Sequence, residues 1–259
     1  MIWATITIVT SIEQKAWRAG RFWWDWPRPS DANMAPLKAM VFDLDALADI
    51  DSAGHRPAFN AAFAELGLDI VWSEQRYRQL KVLSDERTRV AAELRKRGVR
   101  CECDVLAELL VDEICATKAM ILDETILDSD VTPRAGIVDL ITEAFGAGIA
   151  VGIVSTGSHA WVEPLVRQLV GDGVVSTVVT PDDAPDGSLY EHALADLGAT
   201  PQDSLAFAGS PANQRIAAAA GVPTVLVDGD DVSGAPIHLA DCQHVRDEWN
   251  QSHPRPTAA

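Results

Sequence analysis

The chain has 259 residues, 47% of them hydrophobic and 23% charged, which supplies apolar material for one large or two modest globular domains and excludes a disordered or fibrous chain. A formal net charge of −17 repels polyanions at long range, so non-specific attraction to nucleic acid or to an anionic membrane is excluded, and small cations or metal-bound anions fit better. No uninterrupted apolar run approaches the ~20 residues of a bilayer span. The four cysteines, Cys101, Cys103, Cys115 and Cys242, contain no C-x-x-C pair, so free thiols in a cytoplasmic protein are expected. Cys101 and Cys103 in "CEC" lack the second ligand pair or nearby histidine that a metal grip requires.

Residues 1–36 read as an N-terminal extension. "MIWATITIVT" is apolar but has no basic segment before it, and "WRAGRFWWDWPRPSD" sets four tryptophans beside prolines without a usable period, a poor secretory signal. Met34 opens "MAPLKAMVFDLD", which resembles a natural start just ahead of a strand, so a disordered extension or a misplaced start is expected here. A tryptophan-rich membrane or partner contact is the alternative.

Lys38 to Phe42 is a short buried strand that delivers Asp43 and Asp45 to its end. Residues 52–129 are helical: Ala58, Phe59, Ala62, Phe63 and Leu66 recur at 3- and 4-residue spacing before a stop at Gly67. Ser73 and Ser84 read as N-caps of two further helices, the second closing at Gly98. Leu106, Leu109, Leu110 and Ile114 mark one face of a fourth. After Thr132-Pro133 the rhythm alternates, with helices at 135–145, from Ser158, at 189–197 and at 212–220, and strands at 149–154, 173–179, 204–208 and 223–227. Such repeats imply an α/β fold, a doubly wound parallel, Rossmann-like sheet with an inserted all-helical cap. The core takes 37–51 and 130–249, the cap 52–129, and 250–259 is a flexible tail. The ligand belongs at the carboxyl ends of the strands.

A carboxylate at Asp43 can attack phosphorus and form an aspartyl-phosphate, and Asp45, on the same side, can protonate the leaving oxygen and then activate water. The plainer alternative is that both acids end a strand and cap a turn. A second strand ends in Ser155-Thr156-Gly157-Ser158 before a helix, where hydroxyls and free N–H groups make a phosphate cradle.

From Leu37 to Asp247 the chain resembles the haloacid dehalogenase-like superfamily, specifically CbbY-type sugar-phosphate phosphatases, relatives of β-phosphoglucomutase. "FDLDALADIDSAGHRPAFNAAFAELGLD" is similar to the family opening "FDxDGTLxxTExxHRxAFNxxFxExGLD", and "APDGSLYEHALADLGATPQDSLAFAGSPANQRIAAAAGVPTVLV" to "KPDPxxYxxALxxLGxxPxxxLxxEDSxxGxxAAxAAGM". The resemblance implies Asp43 as nucleophile, Asp45 as acid/base, Ser155 with Thr156 as phosphate binders, and Mg²⁺ as cofactor. It also implies a small phosphorylated metabolite as partner, a monomer, and His55, Arg56, Glu86 and Arg87 near the substrate from the cap side.

The same comparison shows departures. The family lysine falls on Ala184, with Asp182 and Asp183 beside it set to repel phosphate if they face inward. The acids of the Mg²⁺ shell fall on Ala208-Gly209, leaving Asp43, the Asp45 carbonyl and the neutral Asn213 as metal ligands. The cap loop "GGKER" reads Leu83-Ser84-Asp85-Glu86-Arg87, with a reversed charge at Asp85. Losing one preorganised cation costs ~10²- to 10³-fold in rate. The expectation is therefore a slow or impaired hydrolase, with Arg134 and Lys118 as stand-in cations; the alternative is a catalytically silent protein that binds a phosphorylated metabolite or a protein partner.

Overall fold

The run Ala39–Asp43 (β1) is buried at every position and forms the centre of the sheet. The computed structural model describes residues 36–83, 85–99, 101–227 and 238–253. The expectations placed on the tryptophan-rich extension, on Ser84 and on the last residues of the tail lie outside the described residues.

After β1 come a single helical turn, α1 (Leu44–Leu47), and a π-helical turn, Asp51–His55, which runs into α2 (Arg56–Glu65). Then follow α3 (Glu74–Leu80), α4 (Glu86–Arg97) and α5 (Asp104–Thr125). The core contains α6 (Ile137–Gly146), β2 (Ala150–Val154), α7 (His159–Val170), β3 (Thr177–Val179), α8 (Leu189–Asp196), β4 (Ser204–Ala208), α9 (Pro211–Ala219), β5 (Thr224–Leu226) and α10 (Leu239–Ser252). The strands pair in parallel in the order β3-β2-β1-β4-β5. Side chains alternate across the sheet. Met40 and Phe42 pack on one face with α6, α7 and α10, where Phe42 stacks on Phe207 with ring centroids 4.5 Å apart. Val41 and Ala206 pack on the other with α8 and α9. This is the doubly wound arrangement.

Helices α2–α5 enclose a separate apolar cluster around Trp72, which meets Phe59 at 4.7 Å and Phe63 at 5.0 Å between ring centroids. The Asn60 side chain brackets the Trp72 backbone, accepting from its N at 2.7 Å and donating to its O at 3.1 Å. The chain leaves the core and returns to it side by side: Ala48 and Pro133 form an antiparallel bridge, and Arg134 N donates to Leu47 O at 2.8 Å.

Several sequence expectations need correction. The cap of α4 is Asp85, whose Oδ1 accepts from Thr88 N at 2.8 Å. The buried face of α5 is Val111, Ile114, Lys118 and Leu122, while Leu106 and Leu109 are exposed. The third strand shrinks to its last three residues, because Gly171 and Gly173 adopt positive φ and turn the chain just before it. Helix α10 was not anticipated and runs past 249 to Ser252.

Candidate active site

Three strand ends converge. Asp43, the last residue of β1, is 3% exposed. Its Oδ1 accepts from Ala46 N at 2.6 Å, which caps α1, and Gly209 N, just past β4, donates to both Oδ1 at 3.0 Å and Oδ2 at 2.9 Å. Burial raises the Asp43 pKa, opposed by the Gly209 N–H, the Asn213 side chain, the Ala46 N–H and the charge of Arg134. Asp45 is pushed up to about 7, first by burial and then by the charges of Asp43 and Asp51. With Ser155, Thr156, Gly157, His55, Trp161 and Asn213, the two acids line one cavity of about 40 Å³.

Ser155 is buried at the end of β2. Its N donates to Val179 O at 3.0 Å and its Oγ accepts from Gly157 N at 3.0 Å. Gly157 is required there, since a Cβ would lie 2.2 Å from the Trp161 ring. Thr156 sits exposed on the rim. The start of α7 is partly satisfied from within: Ser158 Oγ accepts from Ala160 N at 3.3 Å and Asp182 Oδ2 from His159 N at 3.0 Å. Asp183 accepts from Thr180 N at 2.9 Å and lies 3.3 Å from His159 Nδ1. The two acids flagged beside Ala184 are thus engaged at a helix start and a turn.

The cap-side residues separate into three places. His55 lines the cavity, and its Nδ1 faces Glu86 Oε1 at 3.8 Å; Lys118, buried behind it, donates to the same Glu86 oxygen at 2.6 Å and lies over the Phe59 ring. Burial, and next the Lys118 charge, lower the His55 pKa to about 4, so the imidazole is neutral at pH 7. Arg56 instead faces a neighbouring groove of about 550 Å³, lined also by Asp51, Arg78, Lys81, Arg134 and Gly209. Arg87 pairs with Asp112 on the α4–α5 side and does not line the cavity.

Two further residues bear on the site. Arg134 Nε donates to the Asp45 carbonyl at 2.7 Å. Ala184 is fully buried against the cluster holding Val154, Val179 and Tyr190. The Tyr190 hydroxyl is buried without a hydrogen-bond partner, and burial followed by the charges of Asp43 and Asp45 raises its pKa. Tyr190 matches the tyrosine of the family pattern "KPDPxxY", but the pattern alone gave it no role at the site.

Mg²⁺, which the resemblance implies, asks for near-octahedral oxygen ligation with one or two free carboxylates. The donors here do not fit it. Both Asp43 oxygens accept an N–H, the Asp45 carbonyl accepts from Arg134, and the remaining donor, the Asn213 amide oxygen, is neutral. Among the described residues no group of three or more His, Cys, Asp or Glu side chains is placed to hold a metal, Cys101 and Cys103 included. Nor, among them, is any helix long and apolar enough to cross a membrane.

Known proteins resemble this chain over most of its length. The family model for haloacid dehalogenase-like hydrolase matches residues 37–222. Protein CbbY of Rhodobacter capsulatus is 31% identical over 219 residues, covering 79% of this chain and 93% of its own, and Protein CbbY of Cereibacter sphaeroides is 29% identical over 200 residues, covering 74% and 85%. The crystal structure of CbbY from Rhodobacter sphaeroides in complex with phosphate superposes with a TM-score of 0.60 at 26% identity, covering 80% of this chain and 99% of that one. A mutant of the same CbbY, in complex with xylulose-(1,5)bisphosphate, superposes with a TM-score of 0.60 at 25% identity and the same coverage. The family model matched over residues 37–222 and a CbbY relative 31% identical over 79% of this chain place the protein among the haloacid dehalogenase-like hydrolases of the CbbY type.

Proposed function

We propose that this chain is a slow phosphoric-monoester hydrolase of small sugar phosphates. The observation that carries this reading is the convergence of Asp43, Asp45, Ser155 and Thr156 on one cavity at the sheet's carboxyl end. The phosphate and the xylulose bisphosphate bound by the CbbY relative support the substrate class.

An Asp43 oxygen attacks phosphorus as the ester P–O bond breaks, and the Asp45 proton passes to the leaving alcohol oxygen. The resulting aspartyl-phosphate is then opened by water, whose proton returns to Asp45, releasing inorganic phosphate and restoring Asp43. An acid titrating near 7 suits this two-way duty at neutral pH. Ser155 and Thr156 hydroxyls steady the non-reacting phosphoryl oxygens. His55, neutral and aimed from the cap, offers an uncharged contact to the rest of the substrate. With alanine at 184 the transferring charge lacks the family lysine, so turnover is ~10²- to 10³-fold below that of a complete site.

One observation favours a second reading, a silent binding protein: Gly209 N–H holds both oxygens of Asp43, which lowers their nucleophilicity. Phosphate release from a panel of sugar phosphates, by the parent and by Asp43→Asn, separates the two. Slow turnover abolished in the variant is expected; equal release by both proteins makes this a binding protein on a phosphatase scaffold.

A further inference from the structure

We propose that the site binds its phosphorylated ligand without a divalent metal, the place of the metal being taken by the Gly209 main-chain N–H and the Arg134 guanidinium. The inference rests on the reading of Asp43 as the group that faces the phosphoryl, but not on turnover.

The Asp43 carboxylate and Asp45 carbonyl oxygens that a metal would use already accept hydrogen bonds from the protein itself. Gly209 N lies 3.0 and 2.9 Å from the two carboxylate oxygens of Asp43, and Arg134 Nε lies 2.7 Å from the Asp45 carbonyl oxygen. The arrangement is built into the backbone rather than into one replaceable side chain. A Cβ on Gly209 would fall 2.4 Å from the Asp45 carbonyl carbon and 2.6 Å from Ala46 N. A carboxylate at 209 therefore has no room unless the β4 end moves off the Asp45–Ala46 peptide. Arg134 is anchored at two points, through its own N to Leu47 O at 2.8 Å and through Nε to Asp45 O. Its guanidinium lines the groove of about 550 Å³ together with Gly209. A fixed monocation bonded to the Asp45 carbonyl, in the groove that neighbours the Asp43–Ser155 cavity, adds positive charge to the approach of an anion, and a guanidinium is only weakly hydrated whereas Mg²⁺ dehydrates reluctantly. Arg134 is thus a positioning residue for the Asp45 carbonyl and a source of the site's positive charge.

The test uses the full chain and two probes. Mn²⁺, followed by water-proton relaxation, is expected to show no saturable binding at up to about 10 mM, and inorganic phosphate, followed by calorimetry, to bind equally in EDTA and in Mg²⁺. Arg134→Gln is expected to weaken phosphate binding by about tenfold or more, and Arg134→Lys, which keeps the charge, to recover most of it. Saturable Mn²⁺ binding below about 1 mM that Asp43→Asn abolishes would overturn the proposal. So would a tenfold or greater gain in phosphate affinity on adding Mg²⁺, or an Arg134→Gln protein that binds phosphate as the parent does. The Mn²⁺ titration of the unaltered chain decides the metal question even if the Arg134 variants do not fold. A chain with no measurable hydrolysis leaves both titrations readable, so failure of the hydrolase reading and failure of this one are distinguishable.

Discussion

Replacing Gly209 by alanine probes the contact on which the site turns. The added methyl would sit 2.4 Å from the Asp45 carbonyl carbon, 2.6 Å from Ala46 N and 2.6 Å from Asp45 Cβ. The first two are backbone atoms of a fully packed turn, so the β4 end must retreat. Overpacking of this kind costs about 1–3 kcal/mol. Retreat also breaks the shared N–H bond to both oxygens of Asp43, a charge-assisted bond worth about 1.5–3 kcal/mol. Together these give about 2.5–6 kcal/mol, and at about 2–4 °C per kcal/mol for a domain of this size Tm should fall by at least about 5 °C. The control is Gly146→Ala at the end of α6, where a Cβ meets nothing within 4 Å and φ is not positive; it should leave Tm level or raise it slightly. Thermal unfolding followed by circular dichroism reads both. A Gly209→Ala protein melting within 2 °C of the control, an interval well below the shift estimated above, would show that the strand end gives way freely and would refute the close-packed account of the site.

Acid stability offers a second check. His55 titrates near 4 in the folded chain against an ordinary 6.5, so it contributes about 3 kcal/mol that is present above pH 6.5 and lost as pH falls towards 4. Asp45, raised from 3.8 to about 7, works in the opposite sense: its contribution is full below 3.8 and is lost as pH rises through 7. The two slopes oppose each other between pH 4 and 6.5, so Asp45→Asn should expose a loss of stability on acidification that the parent masks; urea unfolding at several pH values would contradict this if both proteins traced the same curve. On the cap, Ile114→Ala should cost about 2–5 kcal/mol and Leu109→Glu less than about 0.5 kcal/mol, because Ile114 is fully buried and Leu109 is 56% exposed. Comparable losses from both would mean that α5 presents a different face.

The sheet was legible because its strands are continuous apolar runs ending in polar residues, the mark of strands buried on both faces. Helix faces were harder where buried charge interrupts the stripe. On α5 the inward Lys118 is neutralised by Glu86, and two of the three leucines that suggested the face, Leu106 and Leu109, are left outside. On α10 Arg246 and Glu248 are nearly inaccessible, so the helix reads as polar although Cys242 and Val245 pack into the core. In the site, Asp43, Asp45 and Ser155 were visible as side chains at strand ends. The Gly209 contact was not, because its donor is main chain and carries no residue signature. Arg134 was visible only as a cation: its partner lies 89 residues away in sequence, and closing that loop is a tertiary event.

The bridge between Ala48 and Pro133 gives the molecule a mechanical property. Because the outgoing and returning segments are stitched together there, helices α2–α5 leave and rejoin the core at one seam, while Ala58 of α2 and Leu122 of α5 pack into the core cluster itself. A slide of the helices along the core would break the Arg134–Leu47 bond. The Arg134 side chain reaches from the seam to the Asp45 carbonyl. A displacement of the seam would therefore be felt directly at the residue whose carboxyl would exchange a proton.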